Sequence, residues 1–284
     1  MRLDAAVAHP ASPDLIVDIE PSSGLRPINL RELWTYRELL YFLAWRDVKV
    51  RYKQTVLGAA WAILQPLLTM AVFAIFLGRL AHIASDGLPY PLFSFAGLVP
   101  WTYFATAVTS GAMSIVGSQQ LISKVYFPRL IIPLAATVTP LVDFAIAMVM
   151  LVAMLLWYHV VPSAAIVWLP LLVVLAVATA FATSLWLSTL TVLYRDVRYI
   201  VAFLMQFWMF ATPVAYPASL VPEQWRLLYG LNPMTGVVEG FRWALVGGPS
   251  PGPIVAASAV VVIAMLTAGL VFFRRAEGTF ADVI

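Results

Sequence analysis

Six apolar stretches constrain what this chain can become. Leu57 to Leu80 carries no charge before Arg79, and Leu92 to Ser118 carries none. Ile131 to Tyr158 holds one carboxylate, Asp143, while Ala164 to Leu193, Ile200 to Tyr216 and Ile254 to Phe273 are uncharged. A helix crossing a bilayer needs about 20 mostly apolar residues, a length that only Ile200 to Tyr216 falls short of. The expectation is an all-α integral membrane protein with six transmembrane helices. Pro100 should break or bend the second span, and Pro133 and Pro140 should interrupt the third.

The rest of the sequence agrees. Of 284 residues, 62% are hydrophobic and 11% charged, against roughly a quarter charged in a soluble domain. That excludes a soluble enzyme, a nucleic-acid binder and a disordered scaffold. The net charge of +3 is better read as topology. With both termini on the cytoplasmic side, only Arg79, Arg226 and Arg242 of the 17 Lys and Arg residues fall outside, as the positive-inside rule requires. There is no cysteine, hence no disulfide framework. His9, His82 and His159 lie too far apart to suggest a metal site.

Residues 1–28 are polar, contain four prolines and have no apolar h-region, which predicts a disordered cytoplasmic tail and not a signal peptide. From 29 to 56 the chain predicts an amphipathic interface helix. Asn29 and Glu32 are spaced as a capping box, and Leu33, Tyr36, Leu40 and Leu43 share one face. The run Trp45 to Lys53 has charges on all sides, which predicts a bend or a protein-covered surface, against the leaflet or as a docking face. Residues 57–284 form the transmembrane domain.

Val221 to Gly248 is too apolar for a solvated loop, yet neither of its two runs is long enough to span. Asn232-Pro233 separates them, a turn signal and helix start. Two re-entrant half-helices fit, a form tolerated at depth only when covered by protein or lining a cavity.

No Gly-x-x-x-x-Gly-Lys-[Ser/Thr] loop occurs, so ATP and Mg would have to be bound by a partner. No carboxylate pair, His cluster or nucleophile elbow stands within the spans, and no cofactor or metal is expected. Asp143 costs roughly 2.5–3.5 kcal/mol at mid-membrane, so it should face protein or water. Thr139, one turn earlier, is its candidate donor. Asp143 reads either as a satisfied interhelical hydrogen bond or as an ion-coupling group. On a helix, Trp61, Gln65, Leu68, Val72, Phe76 and Arg79 share one face, and Tyr199, Phe203, Gln206 and Phe210 another. Such faces offer aromatic rings to stack on sugar C–H faces and amides for their hydroxyls. They also suit ordinary packing and the interfacial aromatic belt.

Several short stretches carry a resemblance. They are Arg46-Asp47-Val48-Lys49-Val50-Arg51-Tyr52-Lys53 running on to Trp61 and Gln65-Pro66, Gly97-Leu98-Val99-Pro100-Trp101, Lys124-Val125-Tyr126-Phe127-Pro128-Arg129, Tyr194-Arg195-Asp196-Val197-Arg198 and Asn232-Pro233-Met234. In this order around six spans, the chain from about residue 30 onward resembles the ABC-2 type permeases. Within them it is similar to the exporters of O-antigen, capsule, teichoic acid and galactan.

The resemblance implies an ABC transporter permease of the cell inner membrane, paired with a second copy of itself and with two ABC ATPase subunits. It implies export of a polyprenyl-diphosphate-linked polysaccharide. It places ATPase coupling at Arg46, Lys124, Tyr126, Phe127, Pro128, Arg195, Asp196 and Arg198, with Phe127 as an apolar knob. The channel-lining candidates are Trp61, Gln65, Phe203, Gln206, Phe207 and Phe210, with Trp101 added mainly on the resemblance. Trp225, Asn232, Pro233, Glu239, Phe241 and Arg242 are candidates for an outer gate. Glu239 and Arg242 are spaced to pair with each other, or with a partner copy or a substrate pyrophosphate. An ion-coupled small-solute carrier and a membrane enzyme acting on polyprenyl-linked sugars remain alternatives.

Overall fold

A computed structural model describes residues 30–53, 58–247 and 250–280. The predicted tail, the Asn29 cap and the junction at 54–57 lie outside them. Among the described residues the regular structure is helical: α1 (Leu30–Thr35), α2 (Arg37–Lys53), α3 (Gly58–Phe73, continued as a π-helix over Ala74–Leu80), α4 (Tyr90–Gly117), α5 (Gln119–Lys124), α6 (Ile131–Val138), α7 (Leu141–Trp157), α8 (Leu169–Leu193, after a 3-10 turn at Ala164–Trp168), α9 (Val197–Ala211), α10 (Glu223–Tyr229), α11 (Pro233–Val246) and α12 (Pro253–Glu277).

Five of these stretches are long and apolar enough to cross a membrane. The expected fifth span is the exception. α9 has 15 residues and a length of about 22 Å at 1.5 Å per residue, short of a hydrocarbon core of about 30 Å. Prolines act according to position. α4 runs unbroken through Pro100, so the expected break is absent. Pro133 stands in the first turn of α6, where its missing N–H has no intrahelical partner to lose. Only Pro140 divides a span, leaving a turn at Thr139-Pro140 between α6 and α7.

α4 is the centre of the bundle, packed against α3, α6, α7, α8, α9 and α11. Its closest neighbour is α8. A Cβ on Gly111 would stand 2.3 Å from the Ser184 hydroxyl oxygen, so only glycine allows these two helices to meet at that point. The main core gathers Leu98, Phe104, Leu151, Val237 and Phe241 around α4. A second cluster at the end nearest α2, here the near end, joins Leu43, Ile115, Phe127, Leu130, Ile131, Phe273 and Phe280. At the same end Arg129 donates its backbone N–H to the Glu277 carboxylate at 3.3 Å and its guanidinium to the Glu277 carbonyl. At the far end Tyr90 donates to the Ala215 carbonyl at 2.6 Å, and Ser219 donates to Asp86 at 2.9 Å.

The predicted interface helix is α1 followed by α2. Its apolar face is real: Leu33, Tyr36, Leu39 and Leu40 pack on the near-end cluster and Leu43 is buried in it. α2 continues as one helix through Trp45 to Lys53. It is seated along α6, while Tyr41, Phe42 and Trp45 remain exposed.

Candidate functional site

Three groups of side chains were expected to carry function, and the fold treats each differently. The α3 stripe stays together on one uncovered face: Trp61, Gln65, Leu68, Val72, Phe76 and Arg79 are all exposed. On α9, Tyr199, Phe203, Gln206, Phe207 and Phe210 are exposed likewise, and the Phe203 and Phe207 rings stack 6.4 Å apart. Val201 and Met205 face the core from the opposite side. Trp101 does not join these faces. It is buried, its ring 5.5 Å from that of Phe104, and as a channel wall it is corrected to a core residue. An indole placed between α4 and its neighbours buries more surface than one turned outward.

The near-end loops divide by residue. Lys124 and Tyr126 are exposed, as are Arg195, Asp196 and Arg198 between α8 and α9. Arg46 is exposed on α2 and pairs with Asp47 at 2.8 Å. Phe127 is 4% exposed and Pro128 is buried too. The expected knob therefore points into its own subunit, where Leu43, Ile122 and Leu130 enclose it. The aromatic this loop presents outward is Tyr126, at 68%.

At the far end two short helices follow α9, as the sequence predicted, on either side of Asn232-Pro233. The two differ sharply. α10 leaves Trp225, Leu227 and Leu228 exposed. α11 is almost wholly buried, Pro233, Met234 and Phe241 included. Asn232 is a junction. Its side-chain oxygen accepts from Met234 N at 3.1 Å and from Trp208 Nε1 at 2.9 Å, and its amide donates to Ala211 O and Thr212 Oγ1, each at 3.0 Å.

Arg242 is 4% exposed. It donates to the carbonyls of Phe93 (3.3 Å), Pro213, Val214 and Tyr216 (3.5 Å) and to the Glu239 carboxylate at 2.9 Å. The guanidinium also lies 3.7 Å from the Phe93 ring centroid. The expected Glu239–Arg242 pair forms, but the burial leaves Arg242 no access to a partner copy or a pyrophosphate. Asn232 and Arg242 thus clamp the end of α9 and the segment after it, while Pro233 and Phe241 are buried in the core. Trp225 is the gate candidate that remains exposed.

Residues 38–246, from α2 through α11, match the family model for the ABC-2 type transporter. The chain belongs to that family. This ABC-2 type chain is 32% identical over 260 residues to the O-antigen export system permease protein RfbA of Myxococcus xanthus, covering 90% of its own length and 98% of that protein. It is 27% identical over 248 residues to the permease of the same name from Klebsiella pneumoniae, covering 87% and 95%. To the polysialic acid transport protein KpsM of Escherichia coli it is 22% identical over 234 residues, covering 82% and 91%. With its five long apolar helices, this ABC-2 type chain is a multi-pass protein of the bacterial inner membrane.

One cluster in the ABC-2 type chain was missed as a cluster. Asp143 accepts from Arg51 and from Tyr52, both on α2, while Thr139 turns away and donates to Ala135 O at 2.9 Å. Asp143 thus has a basic partner and a phenol in place of the expected Thr139 donor. Burial, and then the carboxylate, push the Tyr52 phenol up to about 12, so it stays a neutral donor. Arg51 and Tyr52 were read only as part of a charged run. The available signal was an intramembrane acid needing a partner beside a basic run with no stated target.

Proposed function

We propose that this chain is the membrane-spanning subunit of an ATP-driven exporter of a polyprenyl-diphosphate-linked polysaccharide. The observation that carries the reading is the pair of aromatic-and-amide faces on α3 and α9, left uncovered by the chain's own fold. Pockets that enclose small ligands measure about 300–1,000 Å³, too little for a long glycan. A polymer must thread between walls and slide over weak, repeated contacts, and two copies of the chain meeting across α3 and α9 would provide such walls. Trp61, Phe203, Phe207 and Phe210 would stack on sugar faces, while Gln65 and Gln206 would meet hydroxyls. The relatives named for O-antigen and polysialic acid export support a polysaccharide as cargo.

In this reading the near end is cytoplasmic, both termini lie there, and the chain crosses six times with α9 as the short crossing. Two ATPase subunits dock at the near end on Arg46, Lys124, Tyr126, Arg195, Asp196 and Arg198, with Tyr126 as the aromatic anchor. α10 and α11 re-enter from the outer side, where α10, through Trp225 and Leu228, closes the channel against ions. The test is reconstitution in proteoliposomes with the co-purifying ATPase and a lipid-linked glycan. Glycan should appear on the far side only with ATP and only with both proteins present. Equal transport by the chain alone, or without ATP, overturns the reading.

A further inference from the structure

The third membrane stretch is built in two pieces. α6 and α7 are separated at Thr139-Pro140, where Pro140 has no N–H to continue the helical ladder, so α7 can tilt relative to α6. α2 touches both pieces in different ways. Along α6 it makes apolar contacts, with Leu43 buried among Ile131, Ile132 and Ala135. Its C-terminal end is bonded to the first turn of α7, where Arg51 donates to one carboxylate oxygen of Asp143 and Tyr52 to the other. Apolar contacts are non-directional and tolerate sliding. A part-buried charge-assisted pair holds one geometry. The flank of α2 is also open. A cleft of about 420 Å³ lies between Arg46 and Val50 on α2, Ser114 and Gly117 on α4, and Ala136 on α6.

We infer that Asp143, Arg51 and Tyr52 form a pin through which α2 transmits movement at the near end to α7, swinging it about the Thr139-Pro140 hinge. The three are positioning residues and touch no substrate. The inference rests on the proposed function for the meaning of that movement: ATP-driven displacement of the near end reaches the channel through α7. A helix with free space on its flank can rock, and a helix bonded at its far tip delivers the rocking there. Without the pin, α2 would slide along α6 and α7 would stay still.

The test uses the full chain with its ATPase and three variants, Asp143→Asn, Tyr52→Phe and Asp143→Glu. Complex yield and ATP hydrolysis should stay within about twofold of wild type, while glycan exported per ATP falls about tenfold in Asp143→Asn, a usual size for coupling between linked sites. Tyr52→Phe should fall less, and Asp143→Glu should recover most of the loss. Export per ATP that is unchanged in Asp143→Asn overturns the pin. So does a parallel fall of yield, hydrolysis and export, which marks a merely structural pair. A second measurement does not depend on ATP. Spin labels at Tyr41 on α2 and Val149 on α7, both exposed, should give a narrow distance distribution in the isolated chain and a broad one in Asp143→Asn. An equally narrow distribution overturns the pin. Wild-type transport without ATP would instead overturn the proposed function and leave this second measurement to judge the pin alone.

Discussion

Helix α4 and helix α3 with its π-helical continuation are neighbours, both apolar and both long enough to cross a membrane, yet 78% of the apolar stretch of α4 is buried against 11% of that of α3. Hydropathy reports only the crossing. What separates the two is the distribution of small and large side chains. α4 offers Gly97, Ala107, Gly111 and Ala112 to its neighbours, so other helices come close along most of its length. α3 and its π-helical continuation turn Trp61, Leu64, Leu68, Val72 and Phe76 outward, and each stays largely exposed. α9 belongs with α3 on this count. A membrane protein's covered helix holds the fold, and its uncovered aromatic helix is free to meet something else.

Four experiments press on that contrast, starting with the largest effect. Cysteines introduced at Trp225 on α10 and cross-linked between two copies should stop export altogether while ATPase binding persists. Normal export by the trapped protein would make α10 a static cap. On the covered side, Arg242→Ala and Phe104→Ala should each cost about 3–5 kcal/mol of stability, one through buried acceptors left without their donor and the other through a cavity. Denaturation in detergent would read both, and losses under 1 kcal/mol would mean that the covered region is looser than its burial implies.

The near-end loop contains the contrast within two adjacent residues. Phe127→Ala should lower stability by about 3 kcal/mol. Tyr126→Ala should leave stability unchanged and weaken ATPase binding by about 2 kcal/mol, measured as complex recovered at limiting ATPase. The reverse assignment would show that Phe127 turns outward in the complex. Smallest of all, Trp61→Ala and Phe207→Ala should change stability by no more than about 0.5 kcal/mol and slow export a few-fold, as loss of one aromatic contact of about 0.5–1.5 kcal/mol would. A stability loss as large as that of Phe104→Ala would place these rings in a core.

These contrasts also mark how far the sequence could be read. The apolar stretches were legible because lipid imposes a length, and the Asn232-Pro233 turn because both residues act locally. The faces on α3 and α9 followed from helical periodicity alone. Which residue of Tyr126 and Phe127 turns inward was not legible, since adjacent positions in an irregular loop have no period to sort them. Pro100 does not break its helix, because the tolerance of a proline depends on neighbours that cover it, whereas Pro133 and Pro140 differ by their place in a turn. The burial of Arg242 was not legible because its main acceptors are backbone carbonyls, which leave no trace in composition. The partners of Asp143 lie more than ninety positions away, and no local rule could join them.

The acceptors around Arg242 carry a consequence for divergence among relatives. Every residue type presents a carbonyl, so the identities at positions 213, 214 and 216 can drift while the clamp survives, provided the backbone path holds, whereas position 93 also supplies the ring under the guanidinium. The donor has no such freedom. Lysine has one ammonium where arginine has a planar fork reaching several oxygens, and shorter side chains reach none. Room for the fork comes from Gly97, where an added Cβ would stand 2.6 Å from the guanidinium. Residues 97 and 242, far apart in the gene, are therefore expected to be inherited as a couple: a side chain at 97 would displace the fork, and loss of Arg242 would release the segment after α9.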